Sequence, residues 1–172
     1  MRLELKDIIY VPGAVLPFSY ELDLSALDFY GERPLTESVK VEGVVRNRAE
    51  LLELECEAVS NCHLHCASCG RPFERVLTVP IRFLLATKLE NEEDEDILLL
   101  DGTGLELDSV VTDEVIFAMD TKSLCREDCK GRCPRCGKDL NEGPCTCKPE
   151  IDSRWAALTA LLKQDDETGK EP

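Results

Sequence analysis

Val39-Lys40-Val41-Glu42-Gly43-Val44-Val45-Arg46-Asn47-Arg48-Ala49-Glu50-Leu51-Leu52-Glu53-Leu54-Glu55-Cys56-Glu57-Ala58 reads as a β-hairpin. Val39, Val41, Gly43 and Val45 alternate with polar residues, Asn47-Arg48-Ala49-Glu50 offers a turn, and Leu52, Leu54, Cys56 and Ala58 resume the alternation. A period of two belongs to a strand with one buried face, because successive side chains leave on opposite sides of the sheet. Further along, Arg75 to Leu85 predicts a third strand. Pro80 within it marks an edge or a bulge, since proline has no N–H to give to a ladder. Leu3 to Ile8 and Ser19 to Leu24 are weaker strand candidates. Asp108 is the expected N-cap of a helix reaching about Met119, with Val111, Val115 and Ala118 at helical spacing and Asp113 and Glu114 near its positive end. The body is therefore expected to be mainly antiparallel sheet with a helix covering it.

The chain-wide numbers agree with a folded domain. Across 172 residues, 43% hydrophobic content permits a real core, and 5% aromatics makes that core mainly aliphatic. The aliphatic run Ile97-Leu98-Leu99-Leu100 is short, and Ile8 to Phe18 is broken by Pro12, Gly13 and Pro17, so no membrane helix is expected. Met1 to Asp7 mixes charge signs and lacks a basic start leading into an apolar stretch, so a cytoplasmic address is expected. The net charge is −15, which disfavours non-specific DNA binding. Residues 90–120 carry twelve acidic groups and no basic one, with the run Glu90-Asn91-Glu92-Glu93-Asp94-Glu95-Asp96 reading first as a solvated loop and second as a docking surface for a basic partner.

Ten cysteines in a reducing compartment point to metal rather than to disulfides. Cys66-Ala67-Ser68-Cys69-Gly70 and Cys133-Pro134-Arg135-Cys136-Gly137 share the pattern C-x-x-C-G. In such a knuckle a residue past the second cysteine often needs φ > 0 so that backbone N–H groups face the thiolates, which suits glycine. A tetrahedral zinc with Zn–S near 2.3 Å sets paired sulfurs about 3.8 Å apart, a span this turn can supply. Cys145-Thr146-Cys147 offers a second kind of pair, because residues i and i+2 of an extended segment point to one side. Cys125 and Cys129, four apart, would share one face of a helical turn. Four half-sites predict two zinc ions. Cys133 and Cys136 are assigned with Cys145 and Cys147 to one, and Cys66 and Cys69 with Cys125 and Cys129 to the other, which would staple the cysteine-rich segment to the body.

The remaining candidates read more plainly. Cys56, on the apolar face of a strand, is expected in the core. Cys62, His63 and His65 stand near the first knuckle and are expected beside the site rather than as ligands. Neither C-x-x-C opens a helix, which argues against a low-pKa redox cysteine. No nucleophile elbow or phosphate loop occurs, and all-thiolate shells leave no coordination position for water, so catalysis is not expected. Arg71, Arg75, Arg82, Arg126, Lys130, Arg132, Arg135 and Lys138 surround the cysteines and are candidate contacts to RNA or a partner. The expected fold is α+β. Residues 1–120 form the β-rich body with the first knuckle, 121–150 a cysteine-rich zinc module, 151–163 a helix from Asp152 packing on the body through Trp155, and 164–172 a disordered tail.

The stretch Leu64-His65-Cys66-Ala67-Ser68-Cys69-Gly70-Arg71-Pro72-Phe73, the acidic stretch before a helix, the block Leu124-Cys125 to Asn141 and the closing Cys145-x-Cys147 followed by Ile151-Asp152-Ser153-Arg154 together resemble the YceD family, the large ribosomal RNA subunit accumulation proteins. The resemblance implies a non-enzymatic role in ribosome biogenesis, supporting the synthesis, processing or accumulation of 23S ribosomal RNA. It would act by binding, with a basic large-subunit ribosomal protein as the first partner and precursor ribosomal RNA as the second. A zinc-ribbon nucleic-acid regulator and a thiol redox protein are the competing readings. The first lacks an obvious recognition helix, and the second would need an accessible low-pKa cysteine.

Overall fold

The computed structural model describes residues 1–48, 51–87 and 97–147. The chain divides into two compact units, Met1–Cys129 and Lys130 onward. The expected helix from Asp152, the tail from Gln164, the acidic run Glu90 to Asp96 and the turn residues Ala49 and Glu50 lie outside the described residues.

The first unit is built on a five-stranded sheet in the order β2 (Val15–Leu22), β3 (Val39–Arg48), β4 (Leu51–His65), β5 (Pro72–Ala86) and β6 (Ile97–Leu99). The first four pair antiparallel in sequence order, and β6 joins β5 in parallel. A separate two-stranded ladder joins β1 (Arg2–Glu4) to β7 (Gly104–Glu106). The helices are α1 (Lys6–Ile9) and α2 (Leu107–Ala118). Mostly sheet, with two helices among the described residues and an open mixed sheet, this is the α+β body that the alternation around Val39 to Ala58 predicts. Among the described residues, no helix is long and apolar enough to cross a membrane.

Several boundaries differ from expectation. The second hairpin strand runs on past Ala58 to His65, because Ser60, Cys62 and Leu64 continue the inward set and β5 pairs with β4 along the whole way from Leu52↔Leu85 to His65↔Pro72. Asn47 and Arg48 belong to β3 rather than to a turn. Leu3 to Ile8 is a strand only to Glu4. Leu5 and Ile8 then turn inward from a single helical turn, anchored by Ile9 N–H donating to Leu5 O at 3.0 Å. The strand expected at Ser19 begins at Val15. It stands at the sheet edge, where Pro17 is tolerated. Pro80 sits on β5 opposite Glu57, beyond the reach of β6, which pairs only with Leu84 to Ala86.

Helix α2 starts two residues early. Glu106 occupies the N-cap position, and Asp108 lies in the first turn, where its carboxylate binds the N-terminal ammonium of Met1. Its buried side is Leu107, Val111 and Val115, at i, i+4 and i+8, followed by Met119, and Ala118 is exposed. These side chains join Val39, Val41, Val45, Leu52, Leu54, Val79, Ile81 and Leu85 in one aliphatic cluster. Burying each contributes roughly 1.5–3 kcal/mol.

Two residues make the close β2–β3–β4 packing possible. Asn47 is buried, and its amide donates to Ile8 O at 2.7 Å and Ile9 O at 2.8 Å, so the carbonyls at the end of α1 are not left bare. Gly43 faces Cys56 so closely that a Cβ there would lie 2.2 Å from Cys56 Cβ and 2.6 Å from Glu55 O. Strands β3 and β4 can therefore keep this spacing only around a glycine. Gly43→Ala should lower stability by about 1–3 kcal/mol, read as a fall in the urea midpoint at unchanged slope.

Candidate metal centres

The first cluster grows from the hairpin end. Strand β4 stops at His65 and β5 resumes at Pro72, and the intervening turn is closed by Cys66 N–H donating to Arg71 O at 2.9 Å and Gly70 N–H donating to Cys66 O at 2.8 Å. Gly70 has φ +68°, as the motif requires. The facing cysteines come from the segment after α2. Cys129 N–H donates to Arg126 O at 3.2 Å, so this pair is presented by a tight turn and not by the expected α-helical one. Ala67 N–H donates to Ser123 O at 2.8 Å, and the Arg75 guanidinium both donates to Leu124 O at 3.0 Å and pairs with Asp120 at 3.1 Å. With the segment so fixed, Cys66 Sγ lies 3.7 Å from Cys129 Sγ and Cys69 Sγ 3.8 Å from Cys125 Sγ.

The second cluster, within the second unit, repeats the same turn. Cys133 N–H donates to Lys138 O at 2.9 Å, Gly137 N–H donates to Cys133 O at 2.9 Å, and Gly137 has φ +71°. Among the described residues around it no strand or helix forms. Leu140 N–H bonds Gly131 O at 2.9 Å, Lys130 N–H bonds Asn141 Oδ1 at 2.9 Å, and the Lys138 ammonium donates to Pro144 O at 2.9 Å, drawing the last segment onto the knuckle. Cys145 Sγ then comes within 3.5 Å of Cys133 Sγ. In each group of four, Cys66, Cys69, Cys125 and Cys129 or Cys133, Cys136, Cys145 and Cys147, all sulfurs lie within 4.8 Å of one another. The tetrahedral edge for zinc thiolate is about 3.8 Å, so both groups could hold a metal ion, and the donor set suits zinc.

Electrostatics distinguish the sulfurs within each group. Backbone N–H groups of Cys125, Cys69 and Ser68 point at Cys66 and bring its thiol down to about 5. In the second knuckle the N–H groups of Cys136 and Arg135 bring Cys133 down to about 6. Loss of water around Cys125, with the neighbouring sulfurs, pushes its thiol up to about 12, and Cys147 is raised to about 12 by its contact with Cys136 and by burial. Each group thus has one sulfur prepared as a thiolate and at least one that ionises only when a cation arrives.

The other candidates separate clearly. Cys56 and Cys62 are buried in the aliphatic cluster, and burial raises both thiols, Cys56 to about 11. His63 and His65 face outward and sit 3.5 Å from Glu74 and 3.2 Å from Glu32. Arg75 ties the chain after α2 to β5 and stacks 5.5 Å from the Phe73 ring centre, and Arg82 pairs with Glu55 at 2.8 Å, beside Arg46 at 2.7 Å. Arg71, Arg126, Lys130, Arg132, Arg135 and Lys138 are exposed side chains flanking the knuckles. The anchoring role of Arg75 on Leu124 O left no trace in the sequence, since a carbonyl acceptor carries no side-chain signature.

Two outcomes follow for the purified protein. Cys66→Ser and Cys145→Ser should each lower bound zinc by about one equivalent, and the double variant should bind none, as read by elemental analysis. Zinc titration near pH 7.5, followed by calorimetry in buffers of different ionisation enthalpy, should release fewer than four protons per ion, because Cys66 and Cys133 are already ionised. Affinity should fall as the pH drops through about 6 to 5, where these two thiolates take up protons.

Comparison with known proteins places this arrangement. The chain is 33% identical over 108 residues to an uncharacterised protein of Mycobacterium tuberculosis and to one of Mycobacterium bovis, covering 60% of this chain and 52% of theirs. It is 32% identical over 109 residues to the uncharacterised protein YlbN of Bacillus subtilis, covering 56% of this chain and 62% of that one. The chain thus spans about half the length of the mycobacterial relatives it matches. No solved structure matches it. The sequence model described as "Large ribosomal RNA subunit accumulation protein YceD" matches residues 54–162, a span that holds strand β4 from Leu54, all of β5 and α2, and all eight clustered cysteines, so the chain belongs to the YceD family.

Proposed function

We propose that this protein supports the accumulation of large-subunit ribosomal RNA, the 23S species, as a zinc-bearing binding factor rather than as a catalyst. The family match carries the reading, because the matched residues are those organised around the two sulfur clusters. Zinc in each cluster would supply a fixed tetrahedral crosslink. Four thiolates per ion complete its shell, so a water molecule has no place to be activated, and the metal's role is to hold the fold. Cys66, Cys69, Cys125 and Cys129 would hold one ion, and Cys133, Cys136, Cys145 and Cys147 the other. The cytoplasm, where ribosomal subunits assemble, is the expected site of action.

The net charge of −15 favours a basic large-subunit ribosomal protein as the partner. A specific feature also favours RNA contact. Lys130, Arg132, Arg135 and Lys138 are four exposed cations within nine residues of the second unit, on a turn where phosphates could be tracked. An RNA complex made through them would weaken with salt at a log–log slope near −0.7 per phosphate contact on a single strand, and a complex with a ribosomal protein would leave RNA binding flat. Depletion of the protein should lower the ratio of large- to small-subunit ribosomal RNA, with unprocessed large-subunit precursor ends mapped in the same samples. An unchanged ratio with normal precursors would refute the role.

A further inference from the structure

Beside the first knuckle the body carries a cleft of about 320 Å³, bounded by Phe29, Tyr30, Glu32, Leu64, His65 and Asp120. Its rim is a two-residue turn. Phe29 N–H donates to Glu32 O at 2.8 Å, Glu32 N–H donates back to Phe29 O at 3.2 Å, and the residues between them, Tyr30 and Gly31, have φ of +54° and +83°. A turn with φ > 0 at both central positions is the type I′ arrangement, for which Asn-Gly is the favoured pair. Tyrosine is a poor choice at the first position, and Tyr30 is the one non-glycine residue with positive φ among the described residues. Packing does not explain it, for Tyr30 is 79% exposed and touches the Phe29 ring only edge-on, at 4.9 Å between centroids. A strained backbone therefore holds an aromatic ring out over a cleft.

The other walls select what that ring could bind. Glu32 and Asp120 both line the cleft, and no lysine or arginine does. Glu32 Oε1 is oriented by His65 Nδ1 at 3.2 Å and Asp120 Oδ2 by Arg75 Nη1 at 3.1 Å, which leaves each carboxylate a second oxygen. A phosphate backbone would meet two like charges here, whereas a guanidinium or ammonium would meet two carboxylates and the negative face of a ring. We propose that this cleft receives an arginine or lysine side chain of a basic polypeptide, with the cation against the Tyr30 ring and its N–H groups on Glu32 and Asp120. The proposal rests on the basic-protein reading of the partner and names the place where such a partner docks.

The test uses the zinc-loaded full chain and a fluorescent peptide in which arginine and lysine alternate with glycine and serine. The same peptide with every cation replaced by glutamine and a mixed-sequence single-stranded RNA serve as controls. Tyr30→Asn suits the turn, so it should leave the melting temperature unchanged or raise it while weakening the basic peptide about fivefold, and Tyr30→Phe should bind as the wild type does. Glu32→Gln should weaken it similarly, and Glu57→Gln, on the sheet and away from the cleft lining, should not. The proposal fails if the wild type does not prefer the basic peptide, if Tyr30→Asn binds it normally or melts lower, or if Glu57→Gln costs as much as Glu32→Gln. It also fails if Tyr30→Asn abolishes RNA binding alone, which would make the ring a nucleobase platform. These readouts are independent of ribosomal RNA levels, so a failure here and a failure of the family role would be told apart.

Discussion

Four sulfur atoms converge on the body where its hydrophobic core runs out. Strand β3 accompanies β4 only to the Lys40↔Val59 pair, and from there to His65 the ladder partner of β4 is β5. A two-stranded ribbon is marginal in water by itself. Cys62, Leu64 and Leu77 give this one some apolar support, and its tip is fixed to the chain after α2 by Cys66 and Cys69 facing Cys129 and Cys125, 63 and 56 residues away. Closing so long a loop through one ion would remove chain entropy worth on the order of a few kcal/mol. The carbonyls of Ser123 and Leu124, bonded by Ala67 N–H and the Arg75 guanidinium, hold the same segment against the ribbon tip.

The two clusters use one local design in two mechanical settings. Both knuckles make the same pair of backbone bonds, both place glycine at positive φ after the second cysteine, and both lower the pKa of the first thiol with N–H groups. The first design is set on a ladder that continues for fourteen paired positions. The second has a lone bridge between Arg132 and Asp139 and a few turn bonds. Residues 130–147 contribute few buried apolar side chains, so without a cation their four sulfurs have little to hold them near one another. An ion in the body would complete an existing structure, whereas one in the second unit would supply most of what holds the segment together.

Much of this was legible in the residues, and the exceptions have physical causes. The alternation of Val39 to Ala58 and the C-x-x-C-G repeats are short-range patterns that tertiary contacts reinforce, and of the three ways to pair four half-sites the grouping rests on economy, with the two pairs from Cys133 to Cys147 closest in sequence. The continuation of β4 was hidden because Ser60 and Cys62, both buried, do not look apolar. Asn47 reads as a turn residue, yet its value lies in two amide bonds to the end of a four-residue helix that sequence spacing could not reveal. Leu5 and Ile8 did carry a signal, since their separation of three breaks the period-two pattern begun at Leu3. Asp108 has the chemistry of an N-cap but serves the N-terminal ammonium from within the first turn, two residues past the actual cap. Tyr30-Gly31 was invisible as a site, because only backbone angles separate a strained turn from an ordinary one.

Charge gives the two units different capacities. On the body, cations are largely engaged in structure: Arg75 holds Asp120 and Leu124 O, and Arg46 and Arg82 clasp Glu55. Glu42 and Glu57 meanwhile face each other across β3 and β4, a like-charge register that costs stability. That pair lies away from the cleft under Tyr30, whose two carboxylates give the opening a local field that attracts cations. The second unit reverses the sign, with Lys130, Arg132, Arg135 and Lys138 on the cysteine turn. Four thiolates around a divalent ion would add negative charge at its centre and ease the repulsion among these cations. The chain thus carries acid on its sheet and base on its cysteine turn, so the two units differ in the sign of the charge they present.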